Sequence, residues 1–114
     1  MPRRFAIELF SYELFTAWED GDTRQDIFGR DVTLGGEISF CYIDGNHDYA
    51  YVARDFDHVD RYLAPGGFIL FDDSARYSGS PGVQKLMREL TRRRVIGERY
   101  RLVMRNPNYL IQLR

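Results

Sequence analysis

The chain has 114 residues, of which 44% are hydrophobic and 15% aromatic, enough apolar material for one folded domain and too much for a disordered chain. The formal net charge of −1 gives no overall electrostatic case for nucleic acid, and no segment reaches the roughly 20 apolar residues that cross a bilayer. The single cysteine, Cys41, cannot close an internal disulfide, and the start at Met1 lacks the apolar core of a signal peptide, so a cytoplasmic setting is expected.

In chain order, Phe5–Trp18 is apolar with interruptions. Its aromatics favour a strand, while Ala6, Glu8 and Leu9 leave a helix open. Glu19–Asp22 is a turn, and Thr23–Phe28 reads as a short helical stretch with Asp22 or Thr23 as N-cap. Gly29 and the Gly35-Gly36 pair punctuate a loop. Ile38–Ile43 is apolar with little alternation, which predicts a strand covered on both faces. Val52, Phe56, Val59 and Leu63 then fall at i, i+4, i+7 and i+11, the stripe of an amphipathic helix. Arg54, Asp55, Asp57, Asp60 and Arg61 are expected on its wet side, with His58 at the surface. Pro65, Gly66 and Gly67 stop this helix, and Phe68–Phe71 is a second buried strand. Ser74–Gly82 is a loop. Val83, Leu86, Met87 and Leu90 predict a second helix running to Arg94 or Gly97, where Arg92–Arg94 complement the helix dipole. Tyr100–Met104 and Tyr109–Leu113 form a hairpin around Arg105–Asn108. This order predicts one α/β domain over residues 1–114: a parallel sheet with right-handed crossovers, helices on its faces and an antiparallel strand at one edge.

Both central strands end in acids, Asp44 after the first and Asp72 and Asp73 after the second. Open α/β sheets bind ligands at the carboxyl ends of their strands, so Asp44, His47, Asp72 and Asp73 are expected in one pocket. Carboxylates suit Mg²⁺ or Mn²⁺, making Asp44, Asp72 and Asp73 candidate metal ligands. Otherwise Asp72 and Asp73 cap the next turn and Asp44 bonds to backbone. His47 is a candidate proton acceptor, since imidazole ordinarily titrates near neutral pH, or else it caps the next helix or bonds an acid. Tyr49 and Tyr77 are candidates for the pocket wall or for ordinary packing, and Ser74–Gly82 is a candidate lid. Cys41 reads as a small buried hydrophobe rather than a nucleophile. Gly45–Asp48 also spells the G-N-H-D of metallophosphoesterases, yet the chain has only two histidines and neither of the other ligand motifs that fold requires.

Leu63-Ala-Pro-Gly-Gly67 followed by a short apolar strand resembles the L-x-P-G-G turn of class I S-adenosylmethionine-dependent methyltransferases. Tyr42-Ile-Asp-Gly-Asn-His-Asp-Tyr49 resembles the F-I-D-G-x-H-x-Y signature of the type 24 methyltransferase domain, and Phe71-Asp-Asp73 matches the acidic pair at its next strand end. The resemblance runs from about Gly21 to Arg114. It implies a Rossmann-like sheet of strand order 3-2-1-4-5-7-6, with Ile38–Ile43 fourth, Phe68–Phe71 fifth and the hairpin last. It also implies S-adenosylmethionine as cofactor and methyl transfer to an oxygen of a small molecule, with His47 as base and Mg²⁺ as an optional aid. Gly21-Asp-Thr23 resembles the G-D-S turn after the third strand. That makes Asp22 and Thr23 candidate cofactor residues on the adenine side, or else a plain turn and helix cap; Asp44 and Gly45 are the other cofactor candidates. The G-x-G loop of the first strand and the acidic end of the second are absent from the sequence. The expectation is therefore an N-terminally truncated sheet, the C-terminal half to two-thirds of a methyltransferase, or a non-catalytic module that associates with itself or a partner. Without its first-strand neighbour, Ile38–Ile43 becomes an apolar sheet edge, so a homo-oligomer is expected.

Overall fold

The computed structural model describes residues 11–44, 47–75 and 79–114, which fall into two compact units, Met1–Glu37 and Ile38–Arg114. In the first unit, helix α1 (Ser11–Asp20) leads into a hairpin of β1 (Thr23–Gln25) and β2 (Asp31–Thr33). The helix follows from Leu14, Ala17 and Trp18 at i, i+3 and i+4, and it resolves the strand-or-helix question from Ser11 onward; residues 5–10 lie outside the described residues. Phe15 and Ala17 are buried, and the Trp18 indole donates to the Gly36 carbonyl at 3.0 Å.

The short helix expected over Thr23–Phe28 is instead a strand and a turn. The reason is Asp26. Its buried carboxylate accepts from the backbone N–H groups of Phe28 and Arg30 at 2.9 Å each and from Arg30 Nε at 2.8 Å. An Asp side chain bonded to its own downstream backbone competes with helix formation and favours a turn. Asp22 and Thr23 therefore cap no helix, and Thr23 faces Thr33 across the hairpin, their hydroxyls 3.4 Å apart. Burial works to raise the Asp26 carboxyl, but the bonds from Arg30 and Phe28 outweigh it and hold the group below its ordinary 3.8. Because the folded value is the lower one, the contribution of Asp26 is present above the ordinary value and is lost as pH falls through the folded value. Amide-exchange protection at Phe28 and Arg30 should accordingly disappear in acid, and Asp26→Ala should abolish it at neutral pH; retained protection in the variant would show the turn to be held by other contacts.

The second unit runs β3 (Ile38–Ile43), α2 (Tyr49–Tyr62), β4 (Leu63–Phe71), α3 (Pro81–Arg92), an irregular turn at Val95–Arg99, β5 (Tyr100–Met104) and β6 (Leu110–Leu113). Its sheet has the order β3-β4-β6-β5. β3 and β4 are parallel, whereas β6 is antiparallel to both β4 and β5. The antiparallel strand thus lies inside the sheet rather than at its edge: β6 folds back from β5 and inserts beside β4. The Pro65-Gly66-Gly67 stretch, read as a turn, belongs to β4, which begins directly after α2 and carries a pairing irregularity there.

The apolar stripes occur where the periodicity places them. Val52, Phe56 and Val59 of α2 and Val83, Leu86, Met87 and Leu90 of α3 are buried. The Phe56 ring lies 6.1 Å from Phe71 and 5.8 Å from Tyr100, joining α2 to a sheet face whose Ile69, Phe71, Tyr100 and Ile111 are fully buried. Three residues depart from the wet face assigned to them. Asp55 is only 6% exposed, because it stands at i+3 from Val52 and i−4 from Val59, on the buried face itself. His58 is half-buried. Asp60 is drawn inward by Tyr100, whose hydroxyl donates to it, and by Arg99 at 2.8 Å.

The expected two-sided cover of β3 is not found. Among the described residues β3 is the terminal strand of its sheet, and Phe40 and Tyr42 are 57% and 49% exposed. Register puts Cys41 and Ile43 level with the buried Ile69 and Phe71, so Phe40 and Tyr42 point to the opposite face. No helix among the described residues is long and apolar enough to cross a membrane.

Candidate functional site

The site is a product of strand pairing. Parallel β3 and β4 run level to Ile43 and Phe71, and the ladder continues one step further as the Asp72 N–H donates to the Ile43 carbonyl at 3.0 Å. Asp44 and Asp72 are therefore delivered side by side. His47 follows in the short connection to α2, whose first turn is anchored by N–H donation from Tyr51 and Val52 to the Asp48 carbonyl. One donor atom each from Asp44, His47 and Asp72 lie within 4.8 Å of one another. Asp73, which takes a left-handed φ of 50°, brings its carboxylate to 3.2 Å from His47 Nε2, while Asp72 lies 3.9 Å from the same nitrogen.

The imidazole is fixed from its other side, with Ser80 Oγ 3.2 Å from Nδ1. Nε2 is screened from water and has no aligned hydrogen bond among the described residues. The Asp44 and Asp72 carboxyls push each other in opposite directions. The hydrogen bond from Asp44 holds Asp72 below the usual carboxylate range, helped by Tyr42, and the same bond lifts Asp44 above it. Tyr42 donates to Asp72 Oδ1 at 2.8 Å, and that bond pushes its phenol up to about 12. Two hydrogen-bonded acids next to a screened ring nitrogen form a donor set that a divalent cation would satisfy.

The structure brings together four expected residues, Asp44, His47, Asp72 and Asp73, but the compact three-donor group contains His47 where the sequence suggested Asp73. Tyr42 and Ser80 were not anticipated. Tyr42 could have been found from strand alternation, two residues before Asp44 on an exposed side; Ser80 carries no signal, because only folding brings α3's N-terminus to His47. Gly45 and Tyr77 lie outside the described residues. Tyr49 packs between helices: its hydroxyl donates to Glu89 and its ring lies 4.3 Å from the Lys85 ammonium, so it ties α2 to α3. The lid expected over Ser74–Gly82 is pinned at both ends. Ser74 is fully buried, donates to the Phe71 carbonyl at 2.6 Å and accepts from the Tyr109 N–H at 2.7 Å, while Pro81 and Gly82 already belong to α3. Burial, with Asp55 nearby, pushes the half-buried Cys41 thiol up to about 12, which removes it as a nucleophile. Asp22 and Thr23 lie in the first unit at the turn between α1 and β1, where Asp22 N–H donates to the Ala17 carbonyl and its carboxylate meets Arg24 at 3.4 Å. The element before them is a helix and not a third strand.

Comparison with known proteins adds two findings. The profile of a family described as a methyltransferase domain matches residues 11–74. An uncharacterized protein of Acanthamoeba polyphaga mimivirus is 38% identical over 58 residues, covering 51% of this chain and 26% of the viral protein. The chain thus spans about a quarter of the length of this curated relative. No solved structure matches.

Proposed function

This chain belongs to the methyltransferase domain family, and we propose that it serves methyl transfer from S-adenosylmethionine to an oxygen of a small molecule, aided by Mg²⁺ or Mn²⁺. The observation that supports this most is the meeting of Asp44, His47 and Asp72 at adjoining parallel strand ends. The order β3-β4-β6-β5 is also what the fourth, fifth, seventh and sixth strands of a Rossmann-like sheet would give.

In this reading Asp44 and Asp72 would hold the cation. A divalent ion bound there would lower the pKa of a substrate hydroxyl and orient its oxygen. His47 accepts the hydroxyl proton at Nε2, Ser80 steadies the ring from Nδ1, and the Asp73 carboxylate 3.2 Å away stabilises the imidazolium that results. Tyr42 stays protonated and keeps Asp72 oriented. The remaining rate enhancement is alignment of the oxygen with the methyl group. Asp44 and Gly45 are the proposed cofactor contacts, and a cytoplasmic setting without nucleic acid or membrane completes the reading.

A second reading is favoured by the exposed Phe40 and Tyr42 on the terminal strand β3: a non-catalytic module in which two copies of the chain extend one sheet through this edge. Titration calorimetry with S-adenosylhomocysteine separates the two. Methyl transfer requires saturable binding below about millimolar concentration, and silence up to that concentration selects the module. Light scattering should give a dimer mass that Tyr42→Lys reduces to that of a monomer; a monomer at micromolar wild-type concentration would end the self-association idea.

A further inference from the structure

Charge is divided unevenly along the chain. Residues 81–114 carry nine cations against Glu89 and Glu98, a formal +7, while residues 1–80 carry seven cations against fifteen acids, a formal −8. Three of the C-terminal cations face one space. Arg88 and Arg92 of α3 and Arg105 at the end of β5 border a cleft of about 550 Å³ whose apolar wall is Ile96, Leu102 and Tyr109. No acid lines it. Among the described residues none of these three guanidiniums is in an ion pair, whereas neighbouring Arg94 meets Glu98 and Arg99 meets Asp60. The helix dipole explains a cation at Arg92, in the last turn of α3. It does not explain Arg88, a turn earlier, or Arg105, on a strand end.

From this convergence we infer that the cleft binds a small molecule carrying a phosphate group on an apolar or aromatic body. The cleft has the volume of a small-ligand site. Guanidinium forks pair bidentately with phosphate, and three of them arriving from two elements offer more donors than the two oxygens of a carboxylate accept. Ile96, Leu102 and the Tyr109 ring supply the surface for the body. Tyr109 is held in place by its backbone, since its N–H donates to Ser74 and its carbonyl accepts from Phe71. The inference shares no residue with the Asp44 cluster and does not depend on methyl transfer.

The test is titration calorimetry of the full chain at low ionic strength with phenyl phosphate, inorganic phosphate, phenol and a short single-stranded oligonucleotide. Phenyl phosphate should bind saturably and more tightly than inorganic phosphate, and phenol should not bind. Arg88→Gln and Arg105→Gln should each weaken phenyl phosphate about tenfold, while Arg94→Gln, whose guanidinium is already paired, leaves it unchanged. All three side chains are exposed, so circular dichroism should show an unaltered fold. Absence of phenyl phosphate binding at millimolar concentration, equal weakening by Arg94→Gln, or tighter binding of the oligonucleotide that survives Arg88→Gln and Arg105→Gln would each overturn the inference.

Discussion

Replacing His47 with alanine should lower turnover about 10²–10⁴-fold, the usual contribution of a positioned general base, while leaving S-adenosylhomocysteine affinity unchanged. The expectation rests on where the ring is held. Ser80 occupies Nδ1, so Nε2 is the nitrogen that faces the acidic cluster, 3.2 Å from Asp73. That single nitrogen can accept a substrate proton or ligate a cation, but it cannot do both at once. Titration with Mn²⁺ therefore decides its role. If His47 is the base, His47→Ala keeps wild-type Mn²⁺ affinity and Asp72→Asn loses it. If both variants lose Mn²⁺ equally, Nε2 is a ligand, and the base must be sought elsewhere. Turnover that survives His47→Ala removes the residue from the mechanism altogether.

The parts of this molecule that could be read from sequence are those set by local periodicity. The stripes of α2 and α3 needed only the helical repeat, and the two central strands announced themselves by an apolar run ending in acids. What escaped was set by partners distant in sequence or by side chains acting on their own backbone. Asp26 turns a helical composition into a hairpin through bonds to Phe28 and Arg30, and no periodicity records that. The insertion of β6 between β4 and β5 is a choice of pairing partner, made between Ile69 and Ile111, that the hairpin signal cannot express and that only the strand order of the resembled family implied. Asp55 was assigned to water by its charge, although its spacing from Val52 and Val59 puts it on the buried face. In the site itself, Asp44 and His47 were legible because they are near in sequence. Ser80, 33 residues away, reaches Nδ1 only because α3 begins against the connection that carries His47.

That approach leads to the second large effect: Gly82→Ala should cost about 1–3 kcal/mol of stability and disable the site at the same time. A Cβ built on Gly82 would lie 2.3 Å from the His47 carbonyl oxygen and 2.6 Å from the Tyr49 N–H nitrogen. Both are backbone atoms and cannot swing aside as a side chain would. Relief requires the first turn of α3 to move away from the His47–Tyr49 connection, with strain of the size found when extra atoms are forced into packed interiors. The stripe of α3 (Val83, Leu86, Met87 and Leu90) remains available to bury, so the chain should still fold at a lower midpoint. The movement, however, separates Ser80 from His47 Nδ1, and a misplacement of about 1 Å in a catalytic group is enough to lose roughly 10² in rate. Gly79→Ala makes the comparison sharper. Its Cβ would meet the Asp73 carbonyl at 2.4 Å, disturbing the acid side of the cluster directly. If the site depends on both supports, the two variants should lose turnover alike but differ in Mn²⁺ affinity, with Gly79→Ala weakening it more. A Gly82→Ala protein of wild-type stability and turnover would show that α3 does not hold His47 in place.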